Sequence, residues 1–126
     1  MHTLLVVDDQ RGIRSLLREV FHQEGLCVLT AATGTEALTK LRLSRPDFML
    51  LDLKLPELDG CVVLQEAHRL YPLLPVIIMT GCGDEQCFSQ LRSYTGVVAV
   101  LEKPFDVSKL RNLVINYLYT TVVQWT

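Results

Sequence analysis

The sequence predicts a doubly wound α/β domain, and three observations carry that expectation. Short apolar runs alternate with longer amphipathic stretches along the chain. The runs are near-continuous in apolar character, as strands of a parallel sheet buried on both faces should be. The spacing leaves one helical crossover between successive runs, which is the pattern of right-handed βαβ units with helices on both faces. At 126 residues the chain has the size of one domain with one core. We expect residues 1–120 to form that domain and 121–126 to be a C-terminal tail.

The strands are expected at Thr3 to Val7, Leu26 to Ala31, Phe48 to Leu51, Val76 to Met79 and Val97 to Leu101. The first helix follows from Ile13, Leu16, Leu17, Val20 and Phe21, spaced to form one apolar stripe, with Arg14, Ser15, Arg18 and Glu19 directed outward. Gly25 should end it as a C′ glycine. A second helix is expected over 35–43, a third over 60–70 ended by Pro72, and a short fourth over 84–92. The fifth starts after Asp106 as N-cap and presents Val107, Leu110, Val114, Tyr117 and Leu118 to the core.

Composition excludes several classes. Apolar residues make up 49% and charged residues 21%, unlike a disordered chain. Twelve basic against fourteen acidic side chains leave a net charge of −2, which predicts no nucleic-acid partner and no anionic membrane surface. The longest apolar run, 97–101, is far short of the roughly 20 residues that span a bilayer. The N-terminus lacks a basic segment and meets Asp8 and Asp9 early, so a cytoplasmic location is expected. Cys27 and Cys61 lie in apolar runs and read as reduced, packed thiols. Cys82 and Cys87 lack the second ligand pair of a structural zinc site. His2, His22 and His68 are far apart and suggest no catalysis.

In an open parallel sheet, ligands bind beyond the carboxyl ends of the strands. Here the first strand ends in Asp8 and Asp9, the third in Asp52 and the fourth in Thr80, while Glu102, Lys103 and Pro104 follow the fifth. Such residues often serve only as caps or turn formers. Three carboxylates on one rim, however, raise one another's pKa unless a cation compensates, and Lys103 cannot neutralise all three. A hard divalent ion can, with magnesium the natural candidate. A cation, a carboxylate, a hydroxyl and an ammonium together suit phosphoryl transfer, with Asp52 as nucleophile and with Lys103 and Thr80 on the equatorial oxygens.

This set, together with LLDLKLPELDG at 50–60 and VIIMTG at 76–81, resembles the receiver domain of bacterial two-component response regulators over roughly residues 3–119. The resemblance implies a flavodoxin-like (βα)5 fold with strand order 2-1-3-4-5. It implies that Asp52 accepts a phosphoryl group from a sensor histidine kinase, the protein catalysing its own phosphorylation and dephosphorylation. Asp9, Asp52 and the backbone carbonyl of Lys54 would hold Mg2+ directly, Asp8 through water. Lys103 would pair with Asp52, Thr80 would hydrogen-bond the phosphoryl group, and the Lys103–Pro104 bond would be cis.

A narrower resemblance joins VVDDQRGIRSLLREVFHQEGL at 6–26, Lys54 and EKPFD at 102–106 to single-domain regulators of the sporulation phosphorelay. In those proteins the face around the first helix docks a helical-bundle histidine phosphotransferase. The matching positions are Gln10, Gly12, Ile13 and Leu16, with Pro104 and Phe105 nearby. A glycine early in a helix costs up to about 1 kcal/mol against alanine, tolerable where a partner backbone comes close. Ile13 and Leu16 as ordinary core is the competing reading.

Two departures stand out. Val100 occupies the place where most receivers carry the aromatic or histidine of a threonine-coupled switch, and 81–96 lacks the usual alanine-rich helix. The first fits a carrier read by docking, as does a length that leaves no room for an output domain; the second, with two glycines and a short apolar pattern, predicts a mobile fourth helix of low stability. Lys54 stands where a haloacid-dehalogenase enzyme needs a second Asp, and Asp8-Asp9-Gln10 would repel the phosphate of a flavin. The isolated N-terminal receiver of a DNA-binding transcriptional regulator is the remaining alternative.

Overall fold

The computed structural model of the protein describes residues 1–81, 94 and 96–123. Five parallel strands, β1 (Thr3–Val7), β2 (Cys27–Ala31), β3 (Phe48–Asp52), β4 (Val76–Thr80) and β5 (Val97–Glu102), form one sheet in the order β2-β1-β3-β4-β5. This is the expected doubly wound, flavodoxin-like arrangement. Helices α1 (Arg11–Gln23), α2 (Gly34–Leu43) and α3 (Gly60–Leu70) lie between successive strands, and a C-terminal helix spans Val107–Val123. The expected fourth helix over 84–92, with Cys82 and Cys87, falls outside the described residues.

Strand alternation divides the core into two layers. Leu5, Val7, Met49, Leu51, Val76 and Ile78 face α2 and α3, while Leu4, Val6, Phe48, Leu50, Ile77 and Met79 face α1 and the C-terminal helix. Strands β1, β3 and β4 are buried on both sides because helices cover both. The edge strands depart from that expectation. Val98 on β5 is exposed, and Cys27, read from sequence as a packed thiol, is exposed as the first residue of edge strand β2. Cys61 is half-buried against the α2–α3 layer.

Local chemistry sets the helix ends. After α1, Gly25 adopts φ +84°, its N–H donates to the His22 carbonyl at 3.0 Å and the Leu26 N–H donates to the Phe21 carbonyl at 3.1 Å. This is a Schellman motif, with Leu26 and Phe21 buried in one layer. Thr33, Asp59 and Asp106 accept N-terminal N–H groups of the three later helices at 3.0, 2.8 and 2.9 Å. Gly60 brings α3 against the end of β3, where a Cβ would lie 2.5 Å from the Leu53 Cα and 2.6 Å from the Asp52 carbonyl oxygen.

Two side chains depart from the amphipathic expectation. The buried stripe of the C-terminal helix runs through Leu110, Val114 and Leu118, four residues apart, with Leu113 and Ile115 partly packed beside it. Tyr117 lies on its flank, exposed, with its ring edge-on to Phe48 at 5.5 Å. Arg14, expected on the solvent face of α1, is half-buried and turns back to the end of β1.

Candidate functional site

The site lies at the carboxyl ends of the three central strands. β1, β3 and β4 run in parallel register, so their last residues reach one rim together: Asp8 just beyond Val7, Asp52 paired with Met79, and Thr80 next. All three are buried, whereas Asp9 is exposed at the mouth. Carboxylate oxygens of Asp8, Asp9 and Asp52 lie within 4.8 Å of one another.

Lys103 enters from the segment after β5. Its backbone N–H donates to the Thr80 carbonyl at 2.7 Å and its bond to Pro104 is cis, as expected. Its Nζ donates to Asp8 Oδ2 at 2.8 Å and to Asp52 Oδ2 at 3.1 Å. One ammonium thus holds two buried carboxylates. The remaining oxygens are met by backbone, with Gln10 N–H donating to Asp8 Oδ1 at 2.9 Å and Lys54 N–H to Asp52 Oδ1 at 3.1 Å. Thr80 Oγ1 donates to the Gly81 carbonyl at 3.1 Å.

Burial pushes the Asp52 carboxyl above its ordinary range, outweighing the Lys54 N–H and the Lys103 ammonium that pull it down. Burial also lowers Lys103, but its bonds to Asp8 and Asp52 overcome this and leave it raised. Among the described residues, the carboxylates of Asp8, Asp9 and Asp52 outnumber the Lys103 ammonium that two of them share, an excess of hard oxygen donors that fits Mg2+. Asp9 and Lys54 also line an open cleft of about 620 Å³, continued by 55–59 of the loop before α3.

Beside it lies an apolar groove of about 370 Å³, lined by Gln10, Ile13, Leu16, Lys103, Pro104, Phe105 and Val107. Five of the six positions read as a docking face are thus brought together. Ile13 is half-buried against the core and Leu16 is 46% exposed, so the stripe of α1 is wider than the core needs. Gly12 is exposed beside the groove, with nothing within 4 Å of where its Cβ would be. Val100 packs against the α2–α3 layer.

Arg14 is the residue that sequence reasoning missed. Its Nη1 donates to the Asp8 carbonyl at 2.9 Å. The available signal was its place next to Ile13, on the flank of α1 nearest the Asp8-Asp9 turn.

These features define a class. The chain belongs to the response regulator receiver domain family, which residues 4–115 match. It is thus a receiver domain of a two-component response regulator, the family whose acidic pocket binds Mg2+. Among its relatives is sporulation initiation phosphotransferase F of Bacillus subtilis (strain 168), 40% identical over 115 residues, spanning 91% of this chain and 92% of the relative. The DNA-binding transcriptional regulator NtrC of Klebsiella pneumoniae is 36% identical over 110 residues, 86% of this chain but 23% of that protein. Among solved structures, a CheY-like receiver domain protein from Methanospirillum hungatei JF-1 superposes with a TM-score of 0.86 at 29% identity, with 98% of each chain covered.

Proposed function

We propose that this protein is a phosphoryl carrier in a phosphorelay, accepting a phosphoryl group on Asp52 from a sensor histidine kinase and passing it to a histidine phosphotransferase. The observation that carries the reading is the placement of Asp52, buried at the end of the central strand, bonded through Oδ2 to Lys103 and through Oδ1 to the Lys54 N–H. A carboxylate oxygen of Asp52 attacks phosphorus as the P–N bond of a partner phosphohistidine breaks, and the leaving electron pair returns to the imidazole nitrogen. Lys103 neutralises the carboxylate before transfer and an equatorial oxygen after it, while Thr80 reorients its hydroxyl to the phosphoryl group. Asp9, Asp52 and the Lys54 carbonyl would hold Mg2+ directly, with Asp8 through water. When bound, the ion screens charge between the carboxylate and the incoming phosphoryl group. Water attacking phosphorus at the same site would return free Asp52, so the protein catalyses both gain and loss of its own phosphoryl group.

The groove of Gln10, Ile13, Leu16, Pro104 and Phe105, with Gly12 at its edge, is the docking face for the phosphotransferase. Sporulation signalling in the cytoplasm is the setting we favour, because the sporulation phosphotransferase relative matches along 92% of its own length. Valine at position 100 in place of a swinging ring supports a carrier read by direct docking. In this reading residues 1–120 are the receiver and 121–126 a tail whose first three residues continue the C-terminal helix. The second reading, a receiver that serves a DNA-binding regulator, rests on the likeness to NtrC.

Incubation with a small phosphodonor and Mg2+ tests the centre of the proposal. Wild type should gain an acid-labile phosphoryl group and Asp52→Asn none. Equal labelling of the two, or none in either, refutes the reading.

A further inference from the structure

We propose that Arg14 is a positioning residue for the divalent cation of the acidic pocket, acting through the Asp8–Asp9 turn; the inference rests on the metal-dependent phosphoacceptor reading above. Arg14 lies on α1 between Arg11 and Arg18, which are exposed, yet it is half-buried. Its Nη1 donates to the carbonyl oxygen of Asp8 at 2.9 Å, one peptide bond from Asp9.

The rest of that turn is anchored to Asp8. The Asp8 N–H donates to the Ala31 carbonyl at 3.0 Å, and its carboxylate accepts from Gln10 N–H and from Lys103 Nζ at 2.9 and 2.8 Å. Asp9 is the exposed member of the three carboxylates. Its direction therefore depends on the peptide that carries it, and the guanidinium of Arg14 holds that peptide to α1. Hydrogen bonds from a charged donor are the stronger kind. Outer partners that orient metal-binding groups typically change affinity by about 10- to 100-fold when removed.

Electrostatics predicts the opposite sign. A guanidinium near a cation site repels the ion, so removing its charge alone should tighten binding. Weaker binding without Arg14 reports positioning.

The experiment measures Mg2+ affinity of the full chain by competition against Mn2+, whose free fraction is read by electron paramagnetic resonance. It compares wild type with Arg14→Ala, Arg14→Met, Arg14→Lys and Arg18→Ala, each checked for a cooperative thermal transition. Arg14→Met keeps most of the aliphatic stem and serves if the alanine variant fails to fold. We expect about tenfold weaker Mg2+ binding in Arg14→Ala and Arg14→Met, partial recovery in Arg14→Lys, which keeps a charged donor, and no change in Arg18→Ala. Binding as tight as wild type, or tighter, in a folded Arg14→Ala or Arg14→Met overturns the inference. So does equal weakening in Arg18→Ala. A wild type that binds neither ion refutes the metal-dependent reading itself, a result distinct from one confined to the Arg14 variants.

Discussion

Lys103 joins two cavities of opposite character. Its ammonium holds the carboxylates of Asp8 and Asp52 beside the open acidic cleft, while the same residue lines the apolar groove of Ile13, Leu16, Pro104 and Phe105. The cleft is lined by Asp9 and the loop that follows β3, and the carboxylates beside it sit at strand ends with their oxygens held by backbone N–H groups and one lysine. The groove is built from apolar surface left over where α1 meets the segment after β5. Charge chemistry needs atoms fixed by a rigid sheet, whereas recognition needs accessible apolar area near them. The two are adjacent because β1 and β5 each deliver a residue to the acidic site and then turn directly into a wall of the groove.

The largest expected effect comes from cutting the link. Lys103→Met leaves Asp8 and Asp52 facing each other without their shared cation. Removing one partner of a buried ion pair typically costs about 3 kcal/mol or more, which urea unfolding would register, and labelling by a small phosphodonor should be lost as well. Stability equal to wild type would show that the carboxylates find other compensation.

A smaller effect separates the cavities. Leu16→Ala removes exposed apolar surface from the groove and leaves the carboxylates untouched, so stability should stay within about 0.5 kcal/mol of wild type. Labelling by a small donor should not change. Phosphoryl transfer to a histidine phosphotransferase should slow by about tenfold, the scale of one moderate interface anchor. Equal transfer rates would remove the groove from recognition.

The smallest effect lies outside both cavities. Arg69 holds the Glu66 carboxyl below its ordinary range, with Arg42 of α2 adding to it. A carboxylate whose folded pKa is depressed stabilises the fold above its unfolded value and loses that contribution as pH falls through its folded value. Glu66→Gln should therefore lower the thermal midpoint slightly near neutral pH and converge with wild type in acid. The surface position makes the difference small. A constant offset at every pH would point to packing instead.

The acidic cluster was legible in the sequence because the Asp8-Asp9 pair and Asp52 each follow a near-continuous apolar run, and parallel strands must end on the same rim. Gly25 was legible for a similar reason, since a glycine after an amphipathic stripe announces the αL turn it adopts. The exceptions share a cause. Cys27 looks buried in a string of apolar residues, but an edge strand has less cover. Tyr117 fits the helical period, yet only the stripe through Leu110, Val114 and Leu118 meets the sheet, and a tyrosine can cover Phe48 while keeping its hydroxyl near water. Arg14 has a solvent-side position in the helical pattern, but its stem is long enough to reach back to Asp8.

By itself, the sequence determined the alternation of apolar runs with amphipathic stretches, the rim that the candidate site occupies, and the candidate residues Asp8, Asp9, Asp52, Thr80 and Lys103. These follow from periodicity and from local rules that operate along the chain. Only the tertiary structure decided that Lys103 holds Asp8 and Asp52 at once, that Leu16 is exposed while Leu17 is buried, and that Arg14 ties α1 to the Asp8–Asp9 turn. Those outcomes depend on the distance and rotation between elements far apart in sequence, which packing fixes and a residue's neighbours along the chain do not encode.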